Sequence, residues 1–202
     1  MKSAEFYQQL EAISRLSPFE RRGSLLDFHR RTYEEYIDSL ARITQNGAPR
    51  VVPDGRTVAQ VVGHIIEWDR AAMISLGEIL SGVAWPRLMS RNMNIDQDGT
   101  TREFADTDDF NAYYARVYAS QDWEDIKTRA IDVATSILRL VEEPSLLTSD
   151  RLEQTRRYQR YKLPIGVTLS MPCGWYLWMV TVEHEGVEHV EDLKIGLNRS
   201  GT

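Results

Sequence analysis

Two segments fix what this chain can fold into, because each carries its own helix start signal ahead of a long 3.6-residue period. Ser17-Pro18-Phe19-Glu20 pairs an N-cap serine with proline at the first helical position and glutamate at the third. Thr57-Val58-Ala59-Gln60 repeats the device. The first opens a helix expected to run to the Asn46-Gly47 stop signal. The second opens VAQVVGHIIEWDRAAMISLGEIL, in which Val58, Val61, Ile65, Ala72, Leu76 and Ile79 keep helical spacing up to Gly82 and Pro86. A third helical region covers about 107–143. It has apolar positions at Phe110, Tyr114 and Val117, then Ile126, Ala130, Val133, Ile137 and Leu140, with a break near Ser120-Gln121. A fourth starts near Pro172 and runs to about Leu197, and a short helix, about 3–14, precedes them all. Between the third and fourth, RRYQRYKLPIGVTL alternates enough for a short strand or hairpin.

Four long amphipathic helices point to an all-α, up-down four-helix bundle. The longest connection, residues 83–106, crosses between the second and third helices. Neither a repeat nor an interdomain linker interrupts the chain, so residues 1–202 are expected to form one domain, with 1–16 as an N-terminal extension helix. At 202 residues, such a domain buries roughly 70% of its unfolded surface unaided.

Composition narrows the function classes. With 24 Lys and Arg against 30 Asp and Glu, the net charge is −6, the wrong sign for a dedicated nucleic-acid binder. A single cysteine, Cys173, excludes an internal disulfide and any multi-thiolate metal site. MKSAEFYQQL has no apolar signal stretch, and Trp175–Val182 is too short to span a bilayer. These features lead to the expectation of a cytoplasmic protein with no membrane or nucleic-acid partner.

The four histidines carry most of the chemical information. At about 100° per residue, Trp178, Val182, Glu185, His189 and Leu193 form one stripe of the last helix, whereas His184 lies more than 90° away. A carboxylate and an imidazole one turn apart on an inward stripe need compensation, which either an internal hydrogen bond or a divalent metal supplies. His64, in VVGHIIEWD, sits at the edge of the second helix's apolar stripe. Where the second and fourth helices touch, it would complete a His64/Glu185/His189 site with one position left open, as in catalytic rather than structural sites. Nickel or zinc suits these ligands. Trp68 and Trp178 are placed to wall a substrate pocket between those helices.

Other features read as structural. Asn94-Ile95-Asp96-Gln97-Asp98-Gly99 copies half a calcium loop, but Ala105 stands where a bidentate glutamate is required. His29, flanked by Arg30 and Arg31, reads as part of a solvated helix face, with a pocket mouth as the other reading. Arg151, Arg156, Arg157, Arg160 and Lys162, interleaved with Tyr158 and Tyr161, form a basic-aromatic patch suited to solvent or to an anionic substrate or thiol carboxylate.

Three segments resemble the DinB-like superfamily and its ClbS/DfsB branch. They are TVAQVVGHIIEWD at 57–69, Asp108-Asp109-Phe110-Asn111-Ala112-Tyr113-Tyr114 with Trp123-Glu124-Asp125-Ile126, and the terminal His184-Glu185-Gly186-Val187-Glu188-His189. The resemblance implies a four-helix bundle with a metal held by one second-helix histidine and two fourth-helix histidines four apart. Here the late histidines are five apart, so either Glu185 replaces a ligand or the metal has been lost. Metal-bearing members imply a transferase that uses a low-molecular-weight thiol, and the ClbS/DfsB branch implies a hydrolase or resistance protein acting on a reactive small molecule. The competing expectations are a metal-free bundle that sequesters a small ligand and a homodimeric interaction protein.

Overall fold

The computed structural model describes residues 3–154 and 158–197. It is mostly helical, in the order α1 (Ser3–Ser14), α2 (Pro18–Arg42), α3 (Val58–Leu80), α4 (Arg87–Arg91), β1 (Met93–Ile95), β2 (Thr101–Glu103), α5 (Thr107–Tyr118), α6 (Trp123–Glu142), α7 (Ser149–Glu153), β3 (Tyr158–Lys162), β4 (Thr168–Pro172) and α8 (Cys173–Glu183). A π-helical turn (His184–Glu188) and α9 (Val190–Leu197) complete it. Among the described residues no helix is long and apolar enough to cross a membrane.

Both capping boxes form. At the second, the Gln60 amide nitrogen donates to Thr57 Oγ1 at 3.2 Å, and the Thr57 amide donates back to Gln60 Oε1 at 2.8 Å. The third helical region is two helices, since α5 ends at Tyr118 and Asp122 caps a fresh start through the Glu124 amide. Helix α2 stops at Arg42, short of the Asn46-Gly47 signal. Ile43 is extended and buried, and its carbonyl accepts from Trp123 Nε1 at 3.2 Å, a tertiary contact that outweighs the local stop signal.

Helix α3 is the axis of the fold, packed on α5, α6, α8 and α9. Val58, Val61, Ile65, Ala72, Leu76 and Ile79 are all buried as their spacing predicts, each large side chain contributing about 1.5–3 kcal/mol of transfer free energy. On α6 the buried stripe is Ile126, Ala130, Ala134, Ile137 and Val141, so Val133 and Leu140 sit at its edges rather than at its centre.

The crossover is more ordered than a polar connection. It holds α4 and the β1–β2 hairpin, tied down by Asp96, whose carboxylate accepts from Tyr114 Oη at 2.7 Å, Arg102 Nε at 3.0 Å and Tyr113 Oη at 3.2 Å. The residues of the half calcium loop therefore pin the crossover to α5. The second hairpin, β3–β4, pairs Tyr158–Lys162 antiparallel with Thr168–Pro172 and turns at Gly166, where φ is +85°.

Candidate metal centre and its cavity

His64 comes from the N-terminal third of α3, and His184 and His189 from the π-turn and the residue that follows it. All three are buried, and one nitrogen from each lies within 4.8 Å of the others. On an α-helix, residues five apart point about 140° away from each other. The segment His184–Glu188 is instead a π-turn, closed by i→i+5 hydrogen bonding, which stacks residues five apart on one face. The spacing that separates His184 from His189 on an α-helix therefore brings them together here.

The same turn moves Glu185 away from the triad. Its Oε2 accepts from His29 Nε2 at 3.2 Å, and His29 Nδ1 in turn accepts from Trp178 Nε1 at 3.1 Å. Of the expected site residues, His64 and His189 converge, His184 takes the place foreseen for Glu185, and Glu185 belongs to an interior chain with His29 and Trp178. The expectation for Trp178 also fails, because it is fully buried and stacks on Trp175 instead of lining a pocket. His29 is likewise buried rather than solvated. It shares its α2 face with Leu25, Phe28, Thr32 and Tyr36, the inward stripe that the neighbouring arginines obscure in the sequence.

The outer nitrogen of each triad ring is engaged. His189 Nδ1 donates to Asp192 Oδ2 at 3.1 Å, and His184 Nδ1 donates to the Val180 carbonyl at 2.9 Å. The Asn111 side chain hydrogen-bonds the His64 ring. His64 Nδ1 has no partner among the described residues. Asn111 also holds Trp68, whose Nε1 donates to Asn111 Oδ1 at 3.1 Å. This leaves His64 Nδ1, His184 Nε2 and His189 Nε2 free of those bonds, and the first and last are buried without a hydrogen-bond partner among the described residues. Outer partners that fix tautomer and orientation are what metal-ligating histidines have. Burial, together with the neighbouring His184 and His189, pushes the His64 imidazole down to about 2, and burial lowers His184 as well. Both rings are thus neutral, the form that ligates.

A cavity of about 430 Å³ opens onto His64 and His184, within the range of small-molecule sites. Trp68, Tyr161 and Tyr176 supply aromatic wall, Lys162 a cation, and Glu183 and Glu188 carboxyls. Trp68 stacks on His184 at 5.8 Å between ring centroids and 24° between planes. Burial raises the Glu183 carboxyl to about 7, against a hydrogen bond from Tyr7 that works the other way. Of the basic-aromatic patch, Tyr161 and Lys162 reach this cavity and Arg151 donates to the Leu146 carbonyl. Arg156 and Arg157 lie outside the described residues, as does the side chain of Tyr158. Cys173 is buried, its thiol pushed up to about 12 by burial, and so takes no part.

The sequence reading missed Asn111, Asp192, Glu183 and Glu188. Asp192, three residues after His189, and Glu188, four after His184, carried a local signal.

Neither a protein-family model nor a curated protein matches the chain. Among solved structures it is similar to the crystal structure of an uncharacterized protein from Clostridium difficile 630, at 10% identity and a TM-score of 0.46, covering 80% of this chain and 93% of that one. At that level of likeness no activity passes from one chain to the other.

Proposed function

We propose that the protein is a DinB-like helical bundle in which His64, His184 and His189 hold a divalent ion, nickel or zinc. In this reading it is a metal-dependent transferase or hydrolase that acts on a reactive small molecule bound in the adjoining cavity, with a low-molecular-weight thiol as nucleophile in the transferase case. The observation that carries the reading is the convergence of three imidazole nitrogens, two of them buried without a partner among the described residues, beside a cavity of about 430 Å³. Leaving such acceptors unpaired costs about 1–3 kcal/mol each, and a cation removes that penalty. Three nitrogen ligands suit zinc and nickel and leave a coordination position for substrate.

A divalent ion held there supplies Lewis acidity and lowers the pKa of a water or thiol. The chain's own groups do the rest. Asn111, Val180 and Asp192 hold the rings in register, Trp68 walls the cavity beside them, Lys162 offers a cation to an anionic substrate or thiol carboxylate, and Glu183 exchanges a proton near neutral pH at the cavity wall.

Elemental analysis of protein grown with nickel and zinc tests the reading. One equivalent of metal is expected in the wild type, to be lost in His184→Ala and His189→Ala and kept in Glu185→Ala. A folded wild type that neither contains nor takes up an ion would instead favour a metal-free bundle that sequesters its ligand.

A further inference from the structure

Beside the main cavity lies a smaller one of about 40 Å³, room for a few water-sized groups. Trp68, Tyr176, Val180 and His184 line both cavities, so they form the partition between the main cavity and this slot. Three elements build the rest. Asp69 and Ala72 come from α3, Leu88 and Met89 from α4, and Leu177 and Thr181 from α8. The short helix of the crossover thus supplies one wall.

Ala72, Leu88, Met89, Leu177 and Val180 make the slot largely apolar, and Asp69 breaks that pattern. Asp69 is 2% exposed, and its Oδ1 is buried with no hydrogen-bond partner among the described residues. Two polar neighbours in the slot wall are occupied elsewhere. Thr181 Oγ1 donates to the Leu177 carbonyl at 3.3 Å, and Trp68 Nε1 donates to Asn111. A buried oxygen without a partner is costly, and a ligand in the slot can relieve that cost. An apolar slot with one acceptor in its wall selects a hydrogen-bond donor carried on an aliphatic chain. The donor that fits is a neutral hydroxyl, since an ammonium would have to exchange its water for apolar side chains.

Resting on the reading of the main cavity as the substrate site, we propose that the slot is a specificity subsite for a short hydroxyalkyl arm of the substrate, whose hydroxyl donates to the Asp69 carboxyl. The substrate class is then a reactive small molecule with a hydroxyalkyl substituent. Its reacting centre occupies the main cavity, and its arm lies beyond the partition.

The probes are 1-propanol and 1-chloropropane, which share a chain and differ in the hydroxyl. Each is titrated into ¹⁵N-labelled full-length protein grown with zinc, and zinc content is measured on the same sample. Amide shifts at Asp69, Ala72, Leu177 and Thr181 report Kd. In the wild type, 1-propanol should bind about tenfold more tightly than 1-chloropropane, with the shifts concentrated at those residues. Asp69→Leu should remove the preference, whereas Asp69→Asn, which keeps an acceptor oxygen, should retain most of it. Ala72→Leu fills the slot and should abolish binding of both probes. Equal affinity for the two probes in the wild type, or shifts that persist in Ala72→Leu, would overturn the inference whether or not Asp69→Leu folds. Tighter binding of propylammonium than of 1-propanol would overturn it as well, by assigning the slot to amines. Zinc content separates the two readings. Hydroxyl selectivity without bound zinc supports the slot and sinks the metal centre, and bound zinc without selectivity does the reverse.

Discussion

Residues 184 and 185 are adjacent in the chain, yet they feed two buried polar clusters with opposite characters. On one side, His64, His184 and His189 bring three ring nitrogens within 4.8 Å of one another beside an open cavity. On the other, Trp178, His29 and Glu185 form a donor–acceptor chain in which each ring nitrogen of His29 has a partner. Asp69 and Tyr36 complete that interior group, and burial, with the Glu185 charge as a smaller cause, keeps the Asp69 carboxyl well above its ordinary range. Both clusters combine buried histidine with a carboxylate. What separates them is whether the inward nitrogens are used up. In the interior group both His29 nitrogens are used, and the atoms without a partner among the described residues are oxygens, Glu185 Oε1, Asp69 Oδ1 and Tyr36 Oη, whereas the triad's convergent nitrogens lie beside a cavity and are available to a ligand.

That comparison can be broken at the interior cluster, where the largest effect on stability is expected. Glu185→Ala and His29→Ala each leave a buried partner unpaired and open a small void, so each should lose about 2–4 kcal/mol in urea melts at pH 7, against about 1 kcal/mol for His184→Ala in metal-free protein. A comparable loss in His184→Ala would show that the triad is structural too. The pH dependence gives an independent check. Burial pushes His29 down to about 3 while the unfolded chain titrates near 6.5, so between those values the unfolded state binds more protons. The His29 contribution is therefore full above about pH 6.5 and is lost as pH falls toward about 3. The gap between wild type and His29→Ala should narrow over that window, and a constant gap would mean that His29 is not held neutral.

The boundary between the clusters is the next place to press. At Gly186 an added Cβ would come within 2.5 Å of the Phe6 ring and 2.6 Å of the Thr32 methyl. Gly186→Ala should cost about 1–3 kcal/mol through overpacking and weaken metal binding along with it, because α1 and α2 pack against the turn that aligns His184 with His189. Normal metal affinity in a destabilised Gly186→Ala would separate the packing from the alignment. The smallest effect belongs to the outer shell of the triad. Asp192→Asn keeps the shape but weakens the hydrogen bond on His189 Nδ1, and a loss of about tenfold in metal affinity is expected by competition with a chelator, with the urea midpoint almost unmoved.

Much of the fold was legible because its signals are local. Capping at Ser17 and Thr57, the period of α3, the break before Trp123 and the turn near Gly166 depend on residues a few positions apart, and short-range sterics and hydrogen bonding suffice to fix them. The weaknesses arose where a distant partner decides the outcome, as when Trp123 claims the Ile43 carbonyl and ends α2 early, or when Asp96 finds Tyr114 and turns a polar connection into a pinned hairpin.

For the site, the sequence by itself determined which residue types could matter, and His64 and His189 were legible from helical phase. The partner of those two was a tertiary decision. An angular argument presumes 3.6 residues per turn throughout, and the HEGVE turn departs from that geometry where Gly186 lets Phe6 and Thr32 approach closely. One extra residue per turn rotates everything after it, so His184 joins the triad and Glu185 swings to His29. Periodicity carries no information about such a shift, because what selects it is the packing of α1 and α2 against the turn, residues more than 150 positions away in the chain.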